Sequence, residues 1–297
     1  MKIAGEKLGW TVHLDENEGR GLTGKKLDLV ICLHPYNEFS KKGCSNYLLV
    51  FHPFTYLDDK RRFKPIYEEY DGYLLTINDR KTLRKGLKEK NKRFNYIRFY
   101  PTVYNVPYKK LELNDLVVMI PVWGNRLIDS KFETLYKLLS DAGCAKFYGI
   151  SQNKNIDPQY YMGSIPFDGT SVIDVLQRHG IALVFHSDIH NKELIPSSRV
   201  FEAAAASAVI ISDENMFVKY HFGDSVFYID TSASGESIFN QIQGHLNTIS
   251  QDPKKALKMA KKAHQIFIKK FTMERQLMDL KDMDKKLKTR TKKGRGL

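Results

Sequence analysis

The stretch Gly180–Asp213, GIALVFHSDIHNKELIPSSRVFEAAAASAVIISD, limits the folds open to this chain more than any other. Ile181 to Phe185 is a short apolar run rich in strand formers, and it breaks at His186 into a polar loop. Pro196 and Ser197 introduce a helix over Ser198 to Ala208. Val209 to Ile211 then begin a second strand that stops at Ser212-Asp213. Strand, loop, helix and strand in this order form the unit of a parallel sheet with crossover helices, so the chain reads as α/β. Ala203 to Ala206 and Ala208 carry no bulk, which lets the helix lie close to the sheet. Its first turns hold Ser197, Ser198, Arg199 and Glu202. Unpaired backbone N–H groups at a helix start attract an anion, and a phosphate suits them. Pro-Ser-Ser alone is equally the start of an ordinary capped helix with a solvated Arg and Glu.

The same alternation runs through the rest of the chain. Before residue 101 the patterns predict helices at Lys2–Leu8, Ile66–Tyr70 and Asp79–Lys88. Strands are predicted at Trp10–Leu14, Leu27–Leu33, Asn46–Phe51, Gly72–Thr76 and Tyr96–Tyr100. The polar segment Thr102–Asn114, with Pro107 inside it, reads as a domain boundary. A continuous apolar strand, Leu116–Val122, follows and ends at Trp123-Gly124-Asn125-Arg126. Asp129 or Ser130 caps a helix with Phe132, Leu135, Tyr136 and Leu139 on one face, stopping at Gly143. A strand at Ala145–Ile150, a short strand and loop at Tyr160–Pro166 and a helix at Val172–Arg178 lead to Gly180. Pro253–Phe271 is helical, with Leu257, Ala260, His264, Phe267 and Phe271 set against many lysines. The expected division is residues 1–110, residues 111–271, and a C-terminal helix with a basic tail over 272–297.

Charge narrows the partners. With 47 Lys and Arg against 34 Asp and Glu, the net charge of +13 calls for an anionic partner: nucleic acid, a lipid surface or a phosphorylated substrate. The aromatic residues are not interleaved with basic ones in a nucleic-acid module, so nucleic acid is not expected. A non-catalytic protein that binds an anionic polymer remains an alternative. The tail Lys281–Leu297 carries eight Lys or Arg and two Asp, which suits either a solvated tail or attachment to an anionic leaflet. Cys32, Cys44 and Cys144 lack CxxC spacing, and Cys32 and Cys144 read as reduced core residues of a cytosolic protein. The apolar runs are too short for a membrane span, and the N-terminus has no leader pattern. Gly19-Arg20-Gly21-Leu22-Thr23-Gly24 matches GxGxxG. A strand follows it instead of the helix a dinucleotide site needs, so it reads as a loop. His34, His52 and His186 each follow an apolar run and precede a break, where ligands of parallel sheets sit. A His there can act as general base or bond a sugar hydroxyl, or be a strand-end residue satisfied by backbone. His186 and His190 have no helix or third ligand that would make a metal site.

The pattern His-Ser, then Pro-Ser-x-Arg-x-Phe-Glu-Ala-x-Ala, then Ile-Ser-Asp, resembles the nucleotide-sugar half of GT-B glycosyltransferases. The likeness is to the group 1 family and its spore-maturation-protein-like branch, over roughly Leu116 to Phe271. It implies two Rossmann-like parallel-sheet domains facing a cleft. A reduced N-terminal domain is expected: the sequence begins at the helix that the family places after an opening strand and glycine-rich loop, so either that strand is dispensed with or the start is abridged. The implied activity is hexosyl transfer from a nucleoside diphosphate-sugar to a hydroxyl of a glycan, glycolipid or surface polymer, with no metal cofactor. The resemblance assigns Pro196, Ser197, Ser198 and Arg199 to the diphosphate, Glu202 to the ribose, and Ser164 and Ile165 to the base. Gly124 provides close backbone access. Arg126 and Lys131 match the spacing of the phosphate-directed pair of retaining members. His52 and His186 are the catalytic candidates among the histidines, and an inverting enzyme with His34 or His52 as base is the alternative. The family often carries two Glu residues separated by seven. Here the first falls on Leu194, with Glu193 one residue off. The expected location is the cytoplasm, peripheral on the inner face of the membrane through the tail.

Overall fold

The computed structural model describes residues 1–16, 20–22, 24–34, 44–50, 64–77, 80–120, 129–149 and 154–293. The chain divides into two compact units, Met1–Pro101 with Met273–Leu297, and Thr102–Thr272.

The first unit opens with helix α1 (Lys2–Lys7). It contains strands β1 (Leu29–Cys32), β2 (Ser45–Val50), β3 (Gly72–Leu75) and β4 (Tyr96–Arg98), paired in that order and all parallel. Sequential parallel strands with right-handed crossovers place their connections on one face of a sheet. Helix α2 (Lys81–Glu89), between β3 and β4, packs Leu83 and Leu87 there against Leu48, Val50, Tyr73 and Leu75. The other face, with Tyr47, Leu49 and Leu74, needs a different cover. The last helix of the chain, α10 (Met273–Lys293), reaches it: Met283 approaches Gly72, and the Tyr47 hydroxyl donates to Asp284 at 2.9 Å. The Gln276 side chain also grips the backbone of Tyr100 beyond β4, and α1 packs on α10. The tail is therefore helical through Lys293, and its first part belongs to this core instead of trailing in solvent.

One sequence expectation fails in this unit: Trp10–Leu14 is not a strand, because no strand among the described residues pairs with it. The short helix expected at Ile66–Tyr70 is a 3-10 helix over Pro65–Glu69.

The second unit is built on a parallel sheet of β5 (Asp115–Met119), β6 (Ala145–Tyr148), β7 (Gly180–Val184), β8 (Val209–Asp213) and β9 (Phe227–Ile229). Its order is β6-β5-β7-β8-β9. Helix α3 (Ser130–Asp141) joins β5 to β6, and α4 (Ser171–His179) leads into β7. Gly180 ends α4 in the left-handed region at φ 85°, and a Cβ there would meet the Glu112 carbonyl oxygen at 2.1 Å. Between β7 and β8 come α5 (Asp188–Glu193) and α6 (Ser198–Ala205); α7 (Met216–Phe222) precedes β9. Helix α8 (Gly235–Gln251) packs on α3, while α9 (Pro253–Lys270) packs on α6. Ala203 to Ala206 are fully buried, as a helix lying close to a sheet requires. The seven lysines of α9 are all exposed, and Ala256, Ala260, Ala263 and Phe267 face the core.

Here too the sequence expectations need correction. The polar loop after His186 contains α5, whose N-cap Ser187 and His190 bond each other reciprocally. Tyr160–Pro166 holds only a single bridge, Phe147 to Tyr161, and no strand. Helix α6 ends three residues before Ala208.

Candidate active site at the carboxyl ends of the second sheet

The strand order fixes where this sheet takes a ligand. β5 lies between β6, reached through α3, and β7, reached through α4, so the connections leave β5 and β7 on opposite faces. Ligands of open α/β sheets bind at such a switch point, outside the carboxyl ends of the strands. The chain beyond β5 leads to the start of α3, and the chain beyond β7 leads through α5 to the start of α6.

Aromatic packing brings the two sides together. Phe132, in the first turn of α3, meets Phe185, just after β7, edge-on with ring centroids 5.4 Å apart. Each ring is adjacent in sequence to a polar candidate: Lys131 precedes Phe132, and His186 follows Phe185. Asp129 caps α3 by accepting the Lys131 amide at 3.0 Å. Lys131 Nζ donates to the Thr231 carbonyl at 3.1 Å and lies 3.8 Å from Asp129 Oδ2. A cation in the first turn of a helix opposes the helix dipole, so Lys131 is better placed for an anion than for the helix itself. Thr231 follows Asp230, whose carboxyl is held below the usual range by the hydroxyl and amide of Ser232, with a smaller contribution from Lys131.

His186 follows β7, two residues beyond Val184, with its side chain fully buried. Its backbone N–H donates to Asp213 Oδ2 at 3.0 Å, and its Nδ1 lies 2.6 Å from Asp213 Oδ1. Asp213 closes β8 and is itself buried. Ser212 Oγ donates to it at 3.3 Å and Asn191 Nδ2 at 3.5 Å. Asn215 continues the network, donating to Asn191 Oδ1 at 2.8 Å and to the Ile195 carbonyl at 3.2 Å. The segment from His186 to Ile195 is thus tied to the end of β8. Leu194 within it has the left-handed φ of 53°, which costs a side-chain-bearing residue energy and marks a tightly constrained bend. Glu193 ends α5 beside it.

Beyond that bend, Pro196 is buried and Ser197 caps α6, its Oγ accepting the Arg199 amide at 3.4 Å. Arg199 Nη1 donates to Glu202 Oε2 at 2.7 Å, one turn on; Glu202 is only 12% exposed. Ser164 and Ile165 lie in the loop beyond β6, one strand out from the switch point. That loop is anchored where the Gly149 amide donates to the Gly163 carbonyl at 3.1 Å. Gly124, Arg126 and His52 lie outside the described residues. His34 is exposed just past β1. Asp213 was given no role by sequence reasoning. Its one signal was a carboxylate closing an apolar strand, the counterpart of His186 just beyond β7. Among the described residues no group of three His, Cys, Asp or Glu side chains forms a metal site, and no helix is long and apolar enough to cross a membrane.

The fold is shared with solved GT-B glycosyltransferases. The crystal structure of TarM superposes with a TM-score of 0.53 at 13% identity, covering 86% of this chain and 54% of that one. The pneumococcal O-GlcNAc transferase GtfA, solved with UDP and GlcNAc, gives a TM-score of 0.51 at 10% identity, covering 82% of this chain and 53% of that one. The chain thus spans about half the length of these structures. No curated protein sequence matches it. A family model described as "Glycosyl transferase-like" matches residues 122–282, more than half of the chain and including β6 to β9 of the second sheet; the chain belongs to this glycosyl transferase-like family.

Proposed function

We propose that the chain transfers a hexose-like sugar from a nucleoside diphosphate-sugar to a hydroxyl of a glycan, glycolipid or other surface polymer. The observation that carries this reading is the convergence of the first turn of α3, with Lys131, and the carboxyl end of β7 at the switch point, in the unit that bears the family match. In this reading Ser197, Ser198 and the first amides of α6 hold the diphosphate, with Pro196 setting the entry and Arg199 adding charge. Glu202 keeps Arg199 on one carboxylate oxygen and takes the ribose hydroxyls on the other. Ser164 and Ile165 lie against the base, and Gly124 lets the donor approach the backbone. Arg126 and Lys131 neutralise the charge that grows on the departing diphosphate, which supports catalysis without a divalent metal and with retention of configuration. His52 belongs to the acceptor side. Lys281, Lys285 and Lys286, exposed on α10, support attachment to an anionic leaflet at the inner membrane face, each basic residue contributing about 1 kcal/mol near such a surface.

The test is thermal melting with millimolar UDP, GDP, ADP or CDP in the presence of a chelator. At least one should raise Tm, because a ligand of the native state stabilises by mass action. Glu202→Gln should keep the fold and weaken binding of that nucleotide by about 1.5–3 kcal/mol, the range for a hydrogen bond to a charged group. No stabilisation by any of the four would overturn the reading, and a shift seen only with added metal would overturn its metal-free part.

A further inference from the structure

We infer that Asp213 locks His186 as the Nδ1–H tautomer, so that Nε2 is presented as the acceptor for a hydroxyl of the bound nucleotide sugar. This rests on the reading just given. The ring cannot choose its tautomer freely. A carboxylate only accepts, so the 2.6 Å contact places the proton on Nδ1. The His186 amide on the other carboxylate oxygen makes the grip two-point and fixes the ring relative to its own backbone. Asn191 and Ser212 bring the donors on Asp213 to four. The far side of the ring is the opposite case. Nε2 is buried and has no hydrogen-bond partner among the described residues, although everything around Asp213 is satisfied. An unsatisfied buried acceptor destabilises a fold, and orphans of this kind in native proteins call for an explanation. His190 is not the partner: its ring stands perpendicular to that of His186 at 6.1 Å, and its Nδ1 bonds Ser187.

The position of His186 supplies the explanation. It sits at the carboxyl end of β7, at the switch point, next to the Phe185–Phe132 contact that brings in Lys131. A nucleotide sugar offers two kinds of polar group there. Its phosphate oxygens only accept and are repelled by a lone pair, whereas its ribose and sugar hydroxyls donate. Nε2 therefore suits a hydroxyl, while Lys131 and the α6 amides suit the diphosphate. Asp213 is a positioning residue in this arrangement, since it acts through His186.

Two-bond 1H–15N spectra of the wild-type imidazoles, with His186 assigned through its own backbone amide, test this directly. The free protein should show His186 protonated on Nδ1 and bare on Nε2 at neutral pH. Adding UDP-glucose or UDP-GlcNAc should move the Nε2 resonance in the direction of hydrogen bonding. A shift with UDP alone assigns the hydroxyl to the ribose, and a shift that needs the sugar assigns it to the transferred group. Asp213→Asn, which cannot accept at both oxygens, should mix the tautomers and weaken nucleotide-sugar binding about two- to tenfold, as for one neutral hydrogen bond. A proton on Nε2 in the free protein overturns the inference, as does an unmoved Nε2 in protein that calorimetry shows to be saturated. Failure of the wild type to bind any of these probes would sink the preceding functional reading and the hydroxyl with it. The tautomer, and its loss in Asp213→Asn, decides the role of Asp213 in either case.

Discussion

Tyr47→Phe isolates the bond that ties the C-terminal helix to the first sheet. Tyr47 on β2 is 0% exposed and Asp284 on α10 is 6% exposed. Burial and the Asp284 carboxylate push the Tyr47 phenol far up, so it remains a donor at any ordinary pH. Removing its hydroxyl deletes a hydrogen bond to a charged acceptor, a loss of about 1.5–3 kcal/mol. Lys288 remains 2.7 Å from Asp284, but it is 45% exposed and stays hydrated, so it does not replace the lost donor. For a unit of this size about 4 °C accompanies each kcal/mol, so the first unit should melt about 6–12 °C lower. Near-ultraviolet circular dichroism would follow the melt, and amide exchange would locate it on β2 and α10. The Asp284 carboxyl gives a second handle. Burial pushes it up, but hydrogen bonds from Lys288, Ser45 and Tyr47 outweigh burial and hold it below its ordinary value of 3.8. A depressed carboxyl contributes stability that is present above the unfolded value and lost as pH falls through the folded one. The difference between wild type and Asp284→Asn should therefore shrink as pH falls below 3.8. Truncation after Leu280 should unfold the first unit rather than merely remove a membrane contact. A Tyr47→Phe melt within about 2 °C of wild type, with exchange on β2 unchanged, would refute the claim that α10 completes this core.

Two further outcomes concern the second unit. Gly180→Ala puts a side chain at φ 85° against the Glu112 carbonyl; left-handed strain of about 1–2 kcal/mol plus a backbone shift should cost at least about 2 kcal/mol in urea denaturation, and a loss under about 1 kcal/mol would show that β7 tolerates the displacement. Burial lowers the proton affinity of His264, against the opposing Ala204 and Ala205 carbonyls, and that of His221, where Lys270 adds to burial; stability should hold above the ordinary value of 6.5 and decline as pH falls below it, because the unfolded chain takes up the protons first, and His264→Gln should flatten that decline if the account is right.

The elements of the second unit were legible because their signals are local. Phe132, Leu135, Tyr136 and Leu139 declare the buried face of α3, Asp129 its start and Gly143 its end, all within a few turns of chain. The alanine run of α6 and the apolar β7 and β8 are read in the same way. Helix α5 was missed because its capping pair is Ser187 with His190, where a Glu or Gln is the usual partner. Trp10–Leu14 has strand composition, but a strand exists only where another pairs with it, and that is not written in five residues.

What the tertiary structure alone decided follows the same rule. The sheet order that makes β5 and β7 a switch point, and so brings Phe132 of α3 against Phe185 beyond β7, is set by how distant strands bury one another. The Asp213–His186 clamp joins residues 27 apart through parallel pairing of β7 and β8. The Tyr47–Asp284 bond joins residues 237 apart, because the chain's own last helix covers the sheet face that carries Tyr47. Periodicity and caps are encoded within a turn or two of helix or strand, whereas pairing order and the partner of a buried polar atom are settled only when remote segments exclude water together.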